Sequence, residues 1–177
     1  MIRFGSVNDT EASVFGYSVF TRFVRPLHQA SKEGNLPMAK YLIRYGAQID
    51  VKNILGLTPL HRTAYRNDLE VMKLLISSGA QVNLRNDVGS TPLIIAAPRG
   101  YFDMVKFLIE HGADVDAKTF VNGWTPLLSA ADSGHFNVVK YLVENGANIC
   151  AKNKFEQTAF KLAHANGHIC TWRLPNI

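Results

Sequence analysis

The sequence repeats itself every 33 residues, and that period constrains the fold more than any other feature. Pro26, Pro59 and Pro92 are 33 residues apart, Pro126 follows after 34, and Ala159 in Thr158-Ala159-Phe160 after another 33. A second marker keeps the same step: Gly46-Ala47, Gly79-Ala80, Gly112-Ala113 and Gly146-Ala147 are separated by 33, 33 and 34. Two independent markers with one period and one shared insertion define a tandem array. The inserted residue lies between Gly112 and Pro126, in the connection before the fourth repeat. In such an array no repeat buries its apolar face alone, and stacking creates the core.

The residues inside each repeat predict two short helices and a turn. Thr58 is a good N-cap, and Pro59 suits the first helical position, where its missing N–H costs nothing. Leu60, Thr63 and Ala64 are spaced to pack one face of that helix. The small pairs Ala30-Ser31, Thr63-Ala64, Ala96-Ala97 and Ala130-Ala131 allow close helix approach. Gly34, Gly100, Gly134 and Gly167 are placed to end the first helices in the left-handed conformation, with Asn67 as the substitute in the second repeat. The second helices carry Val71, Leu74 and Leu75, then Val105, Leu108 and Ile109, then Val139, Leu142 and Val143, a core-facing stripe at i, i+3, i+4. Asn86-Asp87-Val88-Gly89 has the composition of a type I turn. Pro37 is harmless near a helix start, whereas Pro98 falls late in the first helix of the third repeat and should shorten or bend it. Arg25 replaces the capping Thr of the first repeat. The last repeat has Ala159 for the proline and Glu156 for the turn glycine, and Pro175 interrupts its second stripe.

Thr58-Pro59-Leu60-His61, then the small pair, then Leu74-Leu75 before Gly79-Ala80, resembles the ankyrin repeat. The clearest copy runs over 53–85 and the others over roughly 20–177. The resemblance implies an all-α ankyrin-repeat solenoid of stacked helix-turn-helix units with projecting β-turn or hairpin loops. Its repeats fall at about 20–52, 53–85, 86–119, 120–152 and an incomplete 153–177, behind an N-terminal cap or flexible segment over 1–19. Function is implied only as non-catalytic protein binding, because the scaffold serves many unrelated partners. Partners of similar proteins are gripped by the projecting turns and the exposed face of the first helices. This marks Ile54, Leu55, Leu57, Tyr65 and Arg66 in the second repeat, and Asp87, Val88, Ser90, Pro98 and Arg99 in the third. In the fourth it marks Val121, Asn122, Trp124, Asp132 and Ser133, and in the last Phe155 and Gln157. Leu57, Tyr65, Arg66, Arg99 and Trp124 would be the anchors, the set holding Trp, Tyr and Arg, the types enriched at binding hot spots. His28 and His61 would bond the helix cap and the neighbouring loop. Leu75, Val82 and Asn83 also match the pattern of asparagine hydroxylation in similar proteins, a modification at Asn83.

Composition narrows the alternatives. The chain has 177 residues, 47% of them apolar, which suits one elongated folded domain. Five repeats with helices ~8–10 Å apart would extend about 50 Å. Apolar runs such as Val105–Ile109 are interrupted by Lys106 and too short to span a bilayer. Residues 1–20 lack the apolar core of a secretory signal, so the Asn8-Asp9-Thr10 sequon should be unused and the chain intracellular, in cytoplasm or nucleus. Cys150 and Cys170 read as reduced thiols.

The formal charge of +5 raises the question of an anionic partner. Lys40, Lys73, Lys106, Lys140 and Arg173 recur at one repeat position, and Lys52, Arg85, Lys118 and Lys152 at another. A solvated outer face accounts for both rows, and no interleaved aromatics point to single-stranded nucleic acid. His164 and His168 are four apart, but Gly167 lies between them where the helix should end. His111, Asp114 and Asp116 occupy an ordinary helix-to-turn junction. No nucleophile–base arrangement or phosphate loop is recognisable, and the reading is of no enzyme, no metal and no cofactor. The expected partner is a protein. A fragment or accessory subunit of a larger protein, recruiting substrate to catalysis elsewhere, is the alternative reading, with self-association through an incompletely capped C-terminal edge and anionic-surface binding through the lysine row behind it.

Overall fold

The computed structural model describes residues 26–168, which form nine α-helices and fall into two compact units divided between Gln81 and Val82. The expectations for the N-terminal segment, Arg25 and the sequon, and for Cys170, Arg173, Pro175 and the C-terminal edge, lie outside the described residues. The N-terminal unit holds α1 (Pro26–Glu33), α2 (Leu36–Arg44), α3 (Pro59–Arg66) and α4 (Leu69–Ser77). Here α1 packs on α2 and α3, and α4 on α2 and α3. The C-terminal unit holds α5 (Pro92–Ala96), α6 (Phe102–Glu110), α7 (Pro126–Asp132), α8 (Phe136–Glu144) and α9 (Ala159–Ala165). In it α5 packs on α6 and α7, α6 on α8, and α7 on α8 and α9. Among the described residues no β-strand forms, only one isolated bridge between Lys152 and Thr158.

The Thr-Pro signal sets where the first helices begin. Thr91, Thr125 and Thr158 have extended backbones, and their hydroxyls accept from the N–H groups of Ile94, Leu128 and Lys161 at 3.3, 3.2 and 3.4 Å. Each satisfies one of the donors that a helix start leaves unpaired. Thr58 is capped differently. The Thr58 N–H donates to His61 Nδ1 at 3.1 Å, so this nitrogen carries the lone pair, and the Thr58 hydroxyl lies 2.8 Å from it as a second donor. His28 Nε2 meets Leu57 O at 2.7 Å. The two buried histidines thus fasten the cap and the neighbouring loop, as the resemblance implies.

The first-helix face is as expected: Leu60, Thr63 and Ala64 are buried, as are all four small pairs. The stripe on the second helices is rotated from the expected one. Val71, Met72 and Leu75 are buried, as are Met104, Val105 and Leu108 and then Val138, Val139 and Leu142, whereas Leu74, Ile109 and Val143 are half-buried. The buried positions i, i+1 and i+4 face two neighbours, the first helix of their own repeat and a second helix of an adjoining one, and Leu74, Ile109 and Val143 sit at the margin. Each fully buried Leu contributes ~1.5–3 kcal/mol relative to exposure.

Two irregularities follow from single residues. Asn67 ends α3 at φ 58°, in the left-handed role expected of it. Pro98 has no N–H to continue α5, which stops at Ala96 and tightens into a 3-10 turn over Ala97–Arg99. The carbonyls this leaves are collected by side chains. Arg99 donates back to Ile95 O, and His135 Nε2 lies 3.0 Å from Pro98 O.

The cap at α5 gives a quantitative test. Thr91→Ala should lower unfolding free energy by about 1 kcal/mol, measured by urea denaturation, while Thr91→Ser should recover most of the loss.

Candidate functional site

The projecting turns are built from a single side chain at their base. Asn53 Oδ1 accepts from the N–H groups of Leu55 and Leu57 at 2.9 and 3.0 Å, while Gly56 N–H bonds Asn53 O at 3.0 Å. Asn86 does the same for Val88 and Ser90 at 3.1 and 2.8 Å, and Asn153 for Phe155 and Gln157 at 2.9 and 3.0 Å. Asparagine suits this place because its short amide can mimic a backbone acceptor. Asn86 and Asn153 are themselves buried.

The one-residue insertion is absorbed in the turn starting at Thr119. Gly123 N–H reaches back four residues to Thr119 O at 3.2 Å, where Gly89 N–H reaches three to Asn86 O. Thr119 Oγ1 replaces the asparagine by accepting from Trp124 N–H at 3.0 Å. In the last turn Glu156 takes the glycine position and still adopts φ 57°. Its carboxylate bonds Lys152 Nζ at 2.7 Å. The hydrogen bond and then the charge of Lys152 hold the Glu156 carboxyl below the ordinary glutamate range.

In the C-terminal unit these turns are tied to each other. Phe120 N–H donates to Val88 O, and Lys154 N–H to Asn122 O, both at 2.9 Å. Lys154 Nζ also bonds Phe120 O at 3.0 Å, and Arg85 donates to Lys118 O at 2.7 Å. The Arg85 guanidinium lies 5.5 Å from the Phe120 ring centroid, within cation–π range. Gly89 is required by this linkage. A Cβ there would come within 2.6 Å of Phe120 N, at a φ of 81° that already disfavours side chains.

The marked residues divide by what their side chains do. Ile54 and Leu55 are 73% and 56% exposed in the N-terminal unit, and Tyr65 and Arg66 are exposed at the end of α3. Leu57 is a correction: at 4% exposure it belongs to the core, because the chain turns inward after Gly56 to reach the Thr58 cap. In the C-terminal unit Asp87, Val88, Val121 and Phe155 are exposed. Ser90, Pro98, Asn122, Trp124, Asp132 and Gln157 are half-buried, and Arg99 and Ser133 exposed. Several of these have structural tasks. Trp124 closes its turn through its backbone, Asn122 lends its carbonyl to Lys154, and Asp132 Oδ1 accepts from Asn166 Nδ2 at 2.8 Å. Phe120, 56% exposed, was not in the marked set. The insertion was the available signal, since a longer turn must push one more side chain outward.

The junctions before the turns form a ladder of their own. Asp50 accepts from Gln81 N–H within the N-terminal unit. In the C-terminal unit Asn83 Oδ1 accepts from Asp114 N–H while its Nδ2 donates to Gly112 O, both at 2.8 Å, and Asp116 accepts from Asn148 N–H at 2.9 Å. The Asn83 amide is therefore engaged at both ends, and modification there would require this junction to open. His111 donates from Nδ1 to Phe107 O at 2.8 Å, so His111, Asp114 and Asp116 serve the backbone. Gly167, at φ 77°, separates His168 from α9. Among the described residues no group of three His, Cys, Asp or Glu side chains is placed to hold a metal ion. Cys150 is a free, exposed thiol.

Three of the four described members of the first lysine row are paired on their own helices. Lys73 pairs with Glu70, Lys106 with Glu110 and Lys140 with Glu144, each on its own helix, at 2.9, 4.0 and 3.9 Å. Exposed pairs of this kind add little stability. No helix among the described residues is long and apolar enough to cross a membrane.

Two substitutions test the turn construction. Asn86→Ala should cost about 1–3 kcal/mol in urea denaturation, since it strips the acceptor from two turn N–H groups. Glu156→Gly should raise Tm by relieving the left-handed backbone, even though it removes the Lys152 pair. The depressed Glu156 carboxyl contributes stability above its unfolded pKa and loses it as pH falls through the folded value. Wild type and Glu156→Gln should therefore converge in stability as the pH is taken below the glutamate range.

The family model for ankyrin repeats, three copies, matches residues 27–119, 62–153 and 116–174. No curated protein matches the chain at a significant level. The overlapping matches together cover residues 27–174, and the chain belongs to the ankyrin-repeat family.

Proposed function

We propose that the chain is a non-catalytic protein-binding module that grips a protein partner through its projecting turns and the exposed ends of its first helices. Repeats of this family are generally protein–protein interaction modules. The observation that carries the reading for this chain is the state of the turns in the C-terminal unit. They are cross-bonded at Phe120–Val88 and Lys154–Asn122, yet leave Val88, Val121 and Phe155 50%, 60% and 65% exposed. Apolar side chains held out on a fixed backbone lose little freedom when a partner covers them, which lowers the ordering cost of binding. Single exposed apolar residues are common, and a run of them on successive linked turns supports the reading of an interaction surface.

In the N-terminal unit Ile54, Leu55, Tyr65 and Arg66 play the same part. Tyr65 and Arg66 supply the aromatic and guanidinium types that dominate binding hot spots. Arg99 would contribute less, because its guanidinium already serves Ile95 O. The free thiol at Cys150 suits an intracellular, reducing setting.

The test is affinity capture from cell lysate with wild type and with Val88→Ser, Val121→Ser and Phe155→Ser combined, circular dichroism checking the fold. These side chains are exposed, so the variant should melt within a few degrees of wild type and lose about tenfold or more in partner recovery. Equal recovery of the same partners by both proteins would reject the turn surface.

A further inference from the structure

The positive charge of the chain is unevenly placed. Residues 26–81 carry seven Lys and Arg against four Asp and Glu, whereas residues 82–168 carry eight of each. Within the N-terminal unit two helices are basic without an acidic residue: α2, Leu36–Arg44, with Lys40 and Arg44, and α3 with Arg62 and Arg66. The other second helices differ, since α4, α6 and α8 each supply a glutamate to their own lysine. The four acids among residues 26–81 are engaged elsewhere. Glu33 accepts from Gln29, Asp50 from Gln81 N–H, Asp68 caps α4 through Val71 N–H, and Glu70 pairs with Lys73. No carboxylate among the described residues pairs with Lys40 or Arg44.

Beside these cations stand two exposed aromatic rings. Tyr41 and Tyr45 are 45% and 55% exposed, one turn apart, with ring centroids 4.5 Å apart and planes tilted by 38°. Positions 40, 41, 44 and 45 fall on one side of the helix, so two free cations flank an apolar, preassembled floor. We propose that this face of α2 is a second docking surface, taking an acidic peptide segment of a protein partner. Arg44 would hold a carboxylate through its planar fork, Lys40 would act as a point charge, and the tyrosine pair would cover an apolar side chain between them. The charge count argues for a peptide over the other polyanions. Duplex binders neutralise roughly 6–10 phosphates and membrane-surface segments use about 4–8 basic residues, whereas two free cations match a short acidic motif. The rings also pack on each other and leave no slot for a base.

The test uses the full chain and a fluorescein-labelled peptide of Asp, Glu, Leu and Phe, with its Asn and Gln counterpart as control. Anisotropy titration should give saturable binding of the acidic peptide alone. Lys40→Gln with Arg44→Gln should weaken it about tenfold, and Lys106→Gln, whose lysine is already paired, should leave it within about twofold. Backbone NMR shifts of the wild-type chain on peptide addition should concentrate at residues 40–45, a readout independent of how the variants fold. No saturation up to about 1 mM peptide, equal binding by the double variant, or shifts centred elsewhere would overturn the proposal. So would tighter binding of duplex DNA or of phosphatidylserine vesicles through the same two cations.

Discussion

A two-helix unit of some thirty residues cannot bury its own apolar side chains, and everything else in this chain answers to that constraint. The second helices are only nine residues long, too short to persist alone in water. They persist because Leu75, Leu108 and Leu142 are wholly buried between a first helix and adjoining second helices. Close approach on the other side depends on alanine and serine pairs such as Ala130-Ala131, where a larger side chain would part the helices. The core is therefore a property of the series within each compact unit, and no repeat owns its share.

Such packing fixes helices but leaves the connections free, and the connections are where polar chemistry takes over. Threonine hydroxyls begin the helices, buried asparagines shape the turns, and the Asp50, Asn83 and Asp116 positions link one junction to the next. Each of these side chains satisfies backbone N–H groups that would otherwise be unpaired, so the turns project without becoming loose. On the proposed reading, rigidity at the turns is what allows apolar residues to be offered to a partner. An equally apolar but mobile loop would lose more entropy on binding and would be open to non-specific association.

Much of the fold was legible because it rests on residues with one physical task. Thr-Pro marks a helix start, glycine or Asn67 its end, and the 33-residue step their order. Less was legible where a position has two neighbours. The i, i+3, i+4 spacing puts Leu74 in the stripe, whereas the packing of α4 against both α2 and α3 buries Met72 instead. Leu57 and Leu55 look alike in sequence, yet the Thr58 cap draws one inward and leaves the other at the tip. Phe120 was missed since the insertion alone does not say which side chain it displaces. Glu156 shows that a left-handed turn position can be held without glycine, given the Asn153 frame and a neighbouring lysine.

Whether the turns are as fixed as their hydrogen bonds imply is the point on which the binding account stands. Amide hydrogen exchange of the free protein at the Phe120 and Lys154 N–H groups, which bond Val88 O and Asn122 O, measures it directly. Protection comparable to that of the helix interiors of the same unit is the predicted result. Exchange at the rate of an open loop would contradict it, and would mean that the apolar tips are ordered only when a partner arrives.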